Sequence, residues 1–323
     1  MIGENETIIK EIVILGFPQL HDFKLPFFLM FLILYVLTMT GNIMIVTLVT
    51  FSPNLNHPMF FFLGQLSMTD IVITSIVPNM LSVLLKGQVT ITLSACEAQL
   101  QFFGFSACTE CLLLAVMSYD RYLAICRPLH YTSIMSVKLQ LQLAGFCWFW
   151  GFAVSFITVI LATQLDFCGP NIIDHFFCDM LPVLRLSCSD ISMIQFEITL
   201  LGTPITVFPL LLIFITYVCI CIAILNIPST SGRQKTISTC SSHLTVVIIF
   251  YGTLVTLYVV PSHGQLLNAN KVISLVYTVV TPLCNPIIYS IRNKEIRIAF
   301  NKYVYFTNKS KKINTQDSLM TRG

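Results

Sequence analysis

Two acids stand where acids are rare. Asp70 and Glu110 each lie inside a long apolar run, and Asn42 and Asn285 lie in two others. A carboxylate in hydrocarbon is costly, so such residues pair, hold a proton or attract a cation. Two acids with amides nearby can build a hydrated site for sodium or a proton. They can also form a neutral hydrogen-bond network that fastens a bundle, with an acid protonated. Asp120 and Arg121, followed by Tyr122, close another apolar run and by themselves are a surface pair or an anchor. Covalent chemistry has no evident seat. No Cys or His cluster has zinc-site spacing, and no Gly-rich loop could cradle a phosphate. The chain therefore does not read as an enzyme, and neither a cofactor nor a nucleic-acid partner is expected.

The elements that carry these residues follow from composition. The chain has 323 residues, 55% hydrophobic and only 10% charged. Soluble domains carry about 25% charged residues, so too little charge is present to coat a water-facing surface. No charge occurs between Lys24 and Asp70, or between Glu197 and Arg233. Seven stretches can cross a bilayer core, which takes about 20 apolar residues. They are 25–50, 58–81, 97–120, 141–162, 198–225, 238–260 and 271–291. Backbone groups in lipid must be paired internally, and segments such as 210–225 do not alternate as barrel strands do, so the spans are helices. At about 1.5 Å per residue, span three places Glu110 about 21 Å below Cys96, and span two places Asp70 about 18 Å above Pro58. The two acids can share a depth. Pro78, Pro204, Pro209, Pro282 and Pro286 lie in or near spans and are expected to kink them.

Orientation follows from lysine and arginine. With the N-terminus outside, 13 of 18 basic residues fall on the inner side, as the positive-inside rule requires. The first 24 residues lack the pattern of a cleavable signal peptide, so span one is expected to direct insertion. The expected divisions are an extracellular tail at 1–24, a membrane domain at 25–291 and a cytoplasmic helix and tail at 292–323. Four cysteines, Cys96, Cys168, Cys178 and Cys188, then lie on the oxidising side, enough for two bridges with three pairings open. Asn5-Glu6-Thr7 is a glycosylation acceptor in the outer tail, whereas Asn308-Lys309-Ser310 would face the cytosol. Internal repeats of the transporter kind are absent from the sequence, and so is a pore-forming repeat.

Five blocks carry a family resemblance. Gly41-Asn42 opens the series. His57-Pro58-Met59-Phe60-Phe61-Phe62-Leu63 follows, with Phe60 where Tyr is commoner, then Leu66-Ser67-Met68-Thr69-Asp70. The third block is Met117-Ser118-Tyr119-Asp120-Arg121-Tyr122-Leu123-Ala124-Ile125-Cys126, with Ser118 and Leu123 in place of Ala and Val. Lys235-Thr236-Ile237-Ser238-Thr239-Cys240-Ser241-Ser242-His243 and Pro282-Leu283-Cys284-Asn285-Pro286-Ile287-Ile288-Tyr289-Ser290-Ile291-Arg292-Asn293 complete it. In this order and spacing the chain, from about 5 to 305, closely resembles the odorant (olfactory) receptors of the rhodopsin-like G-protein-coupled receptor family. Phe250-Tyr251-Gly252-Thr253 resembles the terrestrial, class II type.

The resemblance implies a seven-transmembrane, all-α bundle with a short amphipathic helix after the seventh span. It implies Cys96–Cys178 and Cys168–Cys188 as the disulfides. It places an odorant pocket in the outer half. The pocket would be lined by Leu100, Phe103, Gly104, Ala107, Cys108 and Cys111 of span three and Gly202, Ile205 and Thr206 of span five. Span six would add Tyr251, Leu254, Val255 and Tyr258, and span seven Ser274, Tyr277 and Thr278. Asp120, Arg121, Tyr122, Tyr217, His243, Asn285, Pro286 and Tyr289 would form the switch that couples to a heterotrimeric G protein of the stimulatory olfactory type, raising cyclic AMP. Phe103 stands where amine receptors of the superfamily carry an acid, and Ser262 where some acid-sensing relatives carry Arg. A small neutral volatile is therefore the implied ligand, and the cell membrane, in cilia of olfactory sensory neurons, the implied location. The alternative is a same-fold chemoreceptor for a non-volatile ligand or one used outside the olfactory epithelium.

Overall fold

The computed structural model describes residues 10–17, 23–168, 170–259 and 267–303. Within them seven helices are long and apolar enough to cross a membrane: Lys24–Phe51, Pro58–Lys86, Leu93–Cys126, Val137–Thr163, Ser192–Leu225, Thr230–Thr256 and Asn270–Ser290. Most run past the apolar stretches, because a helix continues through the polar interface wherever a cap allows. Span three starts at a Thr92 cap, whose hydroxyl accepts from the Ala95 N–H at 3.2 Å. Span four starts at a Ser136 cap on the Leu139 N–H. Each cap satisfies one of the first-turn donors that no intrahelical carbonyl reaches.

The burial pattern is that of a protein dissolved in lipid. Phe149 and Phe214 are 64% and 66% exposed, while Asn42, Ser67 and Asp70 are 0% exposed. Large apolar side chains face outward and polar ones inward, because the hydrocarbon solvates the former and the bundle pairs the latter. Span three is the hub, packed on spans two, four and five. Span seven closes the ring against spans one and six.

Prolines mark where the helices depart from regularity. The turn at Ser75–Ile76 breaks span two just before Pro78. A π-turn at Ile198–Gly202 precedes Pro204, and another at Val276–Val280 precedes Pro282. Proline lacks the N–H that would bond one turn back and crowds that turn's carbonyl, so the preceding turn widens. Pro209 and Pro286 lie inside the helices that follow.

A cap at the end of the bundle where the chain enters, called outer here after the expected orientation, adds to the helical class a small sheet absent from the sequence reading. Strand β1 (Glu11–Ile14) lies between β2 (Val89–Thr92), antiparallel, and β3 (Ile172–Ile173), parallel. The tail before span one is thus woven, in its described part, into the first and second outer loops. Ile12 and Ile14 alternate into an apolar cluster with Val83, Leu100 and Ile173, as the period of two requires. The chain leaves β1 at Gly16, whose φ of 61° is a left-handed conformation suited to glycine. At the other end a short helix at 294–303 follows Arg292. The Asn293 side chain accepts from the Glu295 N–H at 2.9 Å and caps it.

Candidate functional site

The cap is fastened at three points. Cys96 is bridged to Cys178, and Cys168 to Cys188. Gln99 accepts the Cys178 N–H at 3.0 Å, which aims the second outer loop down span three. Lys271 is the third fastening. Its ammonium donates to the Gly16 carbonyl at 2.9 Å and to Asp174 at 2.5 Å, joining span seven to both outer segments. His175 beside it stacks on Phe176 at 4.6 Å. Burial, with Lys271 adding to it, pushes this imidazole down to about 3. Burial pushes the Asp179 carboxyl up to about 6, against the Met180 N–H that favours its ionised form.

An aromatic cluster lies beneath the cap. Phe103 meets Phe177 at 5.1 Å and Tyr277 at 5.4 Å. Phe250 meets Tyr277 at 5.6 Å and Tyr251 at 5.1 Å. Spans three, six and seven and the second outer loop thus converge on Phe103 and Tyr277. Below them Cys111 lies near Thr206 and Tyr251, where spans three, five and six meet. Leu100, Leu254, Ser274 and Thr278 are buried, and Ala107, Cys108, Gly202 and Ile205 are half-buried. Two members of the expected set point elsewhere. Gly104 faces span four, where a Cβ would meet the Ser155 hydroxyl at 2.7 Å. Val255 is 48% exposed, one position past buried Leu254 and turned to the outside of span six. The Tyr258 side chain, Asn5, Ser262 and Asn308 lie outside the described residues. Phe177 and Phe250 were missed as lining residues, although Phe250 sits in a motif already noted. Glu197 was missed too. It is buried at the start of span five, and both its oxygens accept from Thr158 at 3.0 Å.

A polar layer crosses the middle. Asn285 donates to both Asp70 oxygens, at 3.1 and 2.9 Å. It is also within reach of Glu110, and the two acids are close enough to interact. Asn42 donates to the Pro282 carbonyl at 3.0 Å, locking span one to the kink of span seven. Oxygens of Asn42, Ser67, Glu110, Asn285 and Tyr289 remain buried without a protein partner. Such a row of unsatisfied oxygens suits water or a small cation. Among the described residues no group of three or more His, Cys, Asp or Glu is arranged to hold a metal.

The inner end holds two polar pairs. Asp120 is ion-paired with Arg121 and accepts the Tyr131 hydroxyl at 2.8 Å. Tyr131 follows the inner end of span three and carried no sequence signal for this contact. The Tyr217 hydroxyl is hydrogen-bonded to His243 Nδ1 at 2.8 Å, with the rings stacked 5.8 Å apart, joining spans five and six. Tyr289 is buried within electrostatic range of Arg121. Tyr122 stacks on Tyr119 at 6.3 Å.

Comparison with known proteins adds lineage to this geometry. The family model described as "Olfactory receptor" matches residues 31–306. Olfactory receptor 11L1 of Homo sapiens is 45% identical over 303 residues, 94% of this chain and 94% of its own. Olfactory receptors 6B1 and 5G3, also of Homo sapiens, are 43% and 44% identical, each over 94% of this chain and 97% of their own.

Proposed function

The chain belongs to the olfactory receptor family, and from that premise we propose that it is an odorant receptor for small neutral volatiles. The ligand seat is the aromatic cluster of Phe103, Phe177, Tyr251 and Tyr277. The observation that carries this reading is the convergence of three spans and one outer loop on Phe103 and Tyr277. Span three connects that cluster directly to the Asp120–Arg121 pair at its other end. A ligand that binds better when span six has swung out at the inner face shifts the population toward that arrangement. The swing must separate Tyr217 from His243 and free Arg121 from Asp120. The exposed surface then engages a heterotrimeric G protein of the stimulatory olfactory type, and cyclic AMP rises.

Four further assignments belong to this reading. The N-terminus is extracellular and Asn5 carries a glycan, the C-terminal segment 292–323 is cytoplasmic, and the protein works in cilia of olfactory sensory neurons. The layer of Asp70, Glu110, Asn42 and Asn285 holds a sodium ion or a shared proton in the resting state. Supporting this are the two interacting acids and the unsatisfied oxygens around them.

The test is an odorant panel read as cyclic AMP in cells expressing the chain. A neutral volatile should raise the signal, and Arg121→Ala should abolish it at unchanged surface level. A response that survives Arg121→Ala refutes the switch, and a panel that excites only non-volatile ligands refutes the odorant reading. Glycan mapping checks orientation, with sugar on Asn5 expected and sugar on Asn308 refuting it.

A further inference from the structure

One concavity of the molecule lies away from the proposed odorant seat. Span one presents Thr40, Ile43, Met44, Thr47 and Leu48 along one face, at the three- and four-residue spacing of a helix stripe. The Thr47 hydroxyl is satisfied by its own helix, on the Ile43 carbonyl at 2.7 Å. Ile43, Met44 and Leu48 therefore make the wall mainly apolar. Phe300 and Tyr303, from the helix at 294–303, form the facing wall of a hollow of about 360 Å³. A second hollow of about 360 Å³ adjoins it, sharing Met44 and Phe300. Its other lining residues are Ser290, Ile296, Arg297 and Asn301. The groove thus runs from an apolar end beside span one to a polar end under Arg297.

That polar end is cationic. Arg297 makes no ion pair among the described residues. The Ser290 hydroxyl is shielded and has no hydrogen-bond partner. Three basic residues, Lys294, Arg297 and Lys302, and one acid, Glu295, stand on this helix, a net of plus two. Ile296 and Ala299 bury its inner face, so it is fixed against the bundle. An apolar slot ending in a guanidinium and a free hydroxyl matches a lipid with an anionic head and a hydrocarbon tail.

We propose that this groove binds one anionic phospholipid, with an acyl chain between span one and the helix at 294–303 and the phosphate on Arg297. The inference rests on the orientation proposed above, which puts the groove in the inner leaflet, where anionic lipids concentrate and basic residues gather them. A neutral phospholipid would fill the slot and leave Arg297 unmatched.

The full chain would be placed in phosphatidylcholine nanodiscs containing a minor fraction of photoactivatable phosphatidylserine or photoactivatable phosphatidylcholine. Cross-linked peptides would be mapped by mass spectrometry. Phosphatidylserine should label peptides holding 40–48 and 294–303 several-fold more than phosphatidylcholine. Arg297→Gln should cut that labelling about fivefold, the effect of one basic side chain near the membrane surface. Arg297→Lys should keep most of it, and Lys302→Gln, on the same helix but outside the lining, should reduce it clearly less than Arg297→Gln. Met44→Trp should block the slot to both lipids. Equal labelling by the two lipids, a preference that survives Arg297→Gln, or an equal loss with Lys302→Gln would overturn the proposal. Both nanodisc faces carry the same lipid, so labelling reads the groove however the chain is inserted, while glycan mapping alone reads orientation.

Discussion

Lys271 offers the sharpest test of how the cap is held. Its side chain is 4% exposed, whereas that of Asp174 is 46% exposed. The two halves of the pair are therefore not equivalent. Asp174→Ala leaves a buried ammonium with only the Gly16 carbonyl named as its partner. Breaking a fully buried pair by deleting one member costs about 3–5 kcal/mol. Water reaching the vacated Asp174 position lowers this, and about 2 kcal/mol is expected. Lys271→Met instead replaces the cation with an apolar chain of similar length and leaves a carboxylate that water already wets, for about 1 kcal/mol or less. The double variant removes both charges and should recover most of the loss of Asp174→Ala, since no buried ion remains. At about 2 °C per kcal/mol for a chain of this size, Asp174→Ala should lower Tm by about 4 °C and Lys271→Met by about 2 °C or less. The assay is thermal unfolding of purified receptor in one detergent at one pH. A Lys271→Met variant as damaged as Asp174→Ala, or a double variant worse than either, would refute the asymmetry.

The cap should also respond to acid in two opposed ways. His175 is depressed from 6.5 to about 3, so its contribution is present above pH 6.5 and lost as pH falls toward 3. Asp179 is raised from 3.8 to about 6, so its contribution is present below 3.8 and lost as pH rises through 6. Asp179→Asn leaves only the histidine effect and should lose about 2 kcal/mol between pH 7 and 5, against about 1 kcal/mol or less for the wild type. Equal pH slopes in thermal melts would reject this. In the polar layer, Glu110→Gln should change basal cyclic AMP or its dependence on sodium or pH while the receptor still reaches the surface. Unchanged basal signal and odorant response would leave Asp70 and Glu110 a purely structural role. Neutral odorants should outperform amines and carboxylates, because Lys271 is already paired, Phe103 is apolar, and burying an unmatched ion is expensive. A strong amine response that Glu197→Gln abolishes would show instead that Glu197 reads ligand charge.

The sequence by itself determined that this chain lives in lipid, how many times it crosses, and which family it joins. Those properties are local. Hydropathy adds up residue by residue, backbone satisfaction in hydrocarbon demands helices, and motifs such as Met117–Cys126 are contiguous. It also placed Asp70 and Glu110 at one depth, because rise per residue is constant along a helix. Which way a side chain faces was decided only in three dimensions. Each π-turn adds a residue and turns the rest of its span by about 100° relative to a regular helix. The turns at Ile198–Gly202 and Val276–Val280 therefore rotate the outer part of each span away from where a regular helix would carry it. Gly104 and Val255 went astray even on regular helices, because azimuth there depends on which neighbours pack against which side. The β2-β1-β3 sheet, the Lys271 fastening and the Tyr131–Asp120 bond join residues far apart in the chain or from different elements. Strands of four residues or fewer lie at or below the shortest run in which alternation distinguishes a strand from an interfacial loop. A lysine at the end of a span looks like an interfacial anchor until the loop that buries it has folded over it.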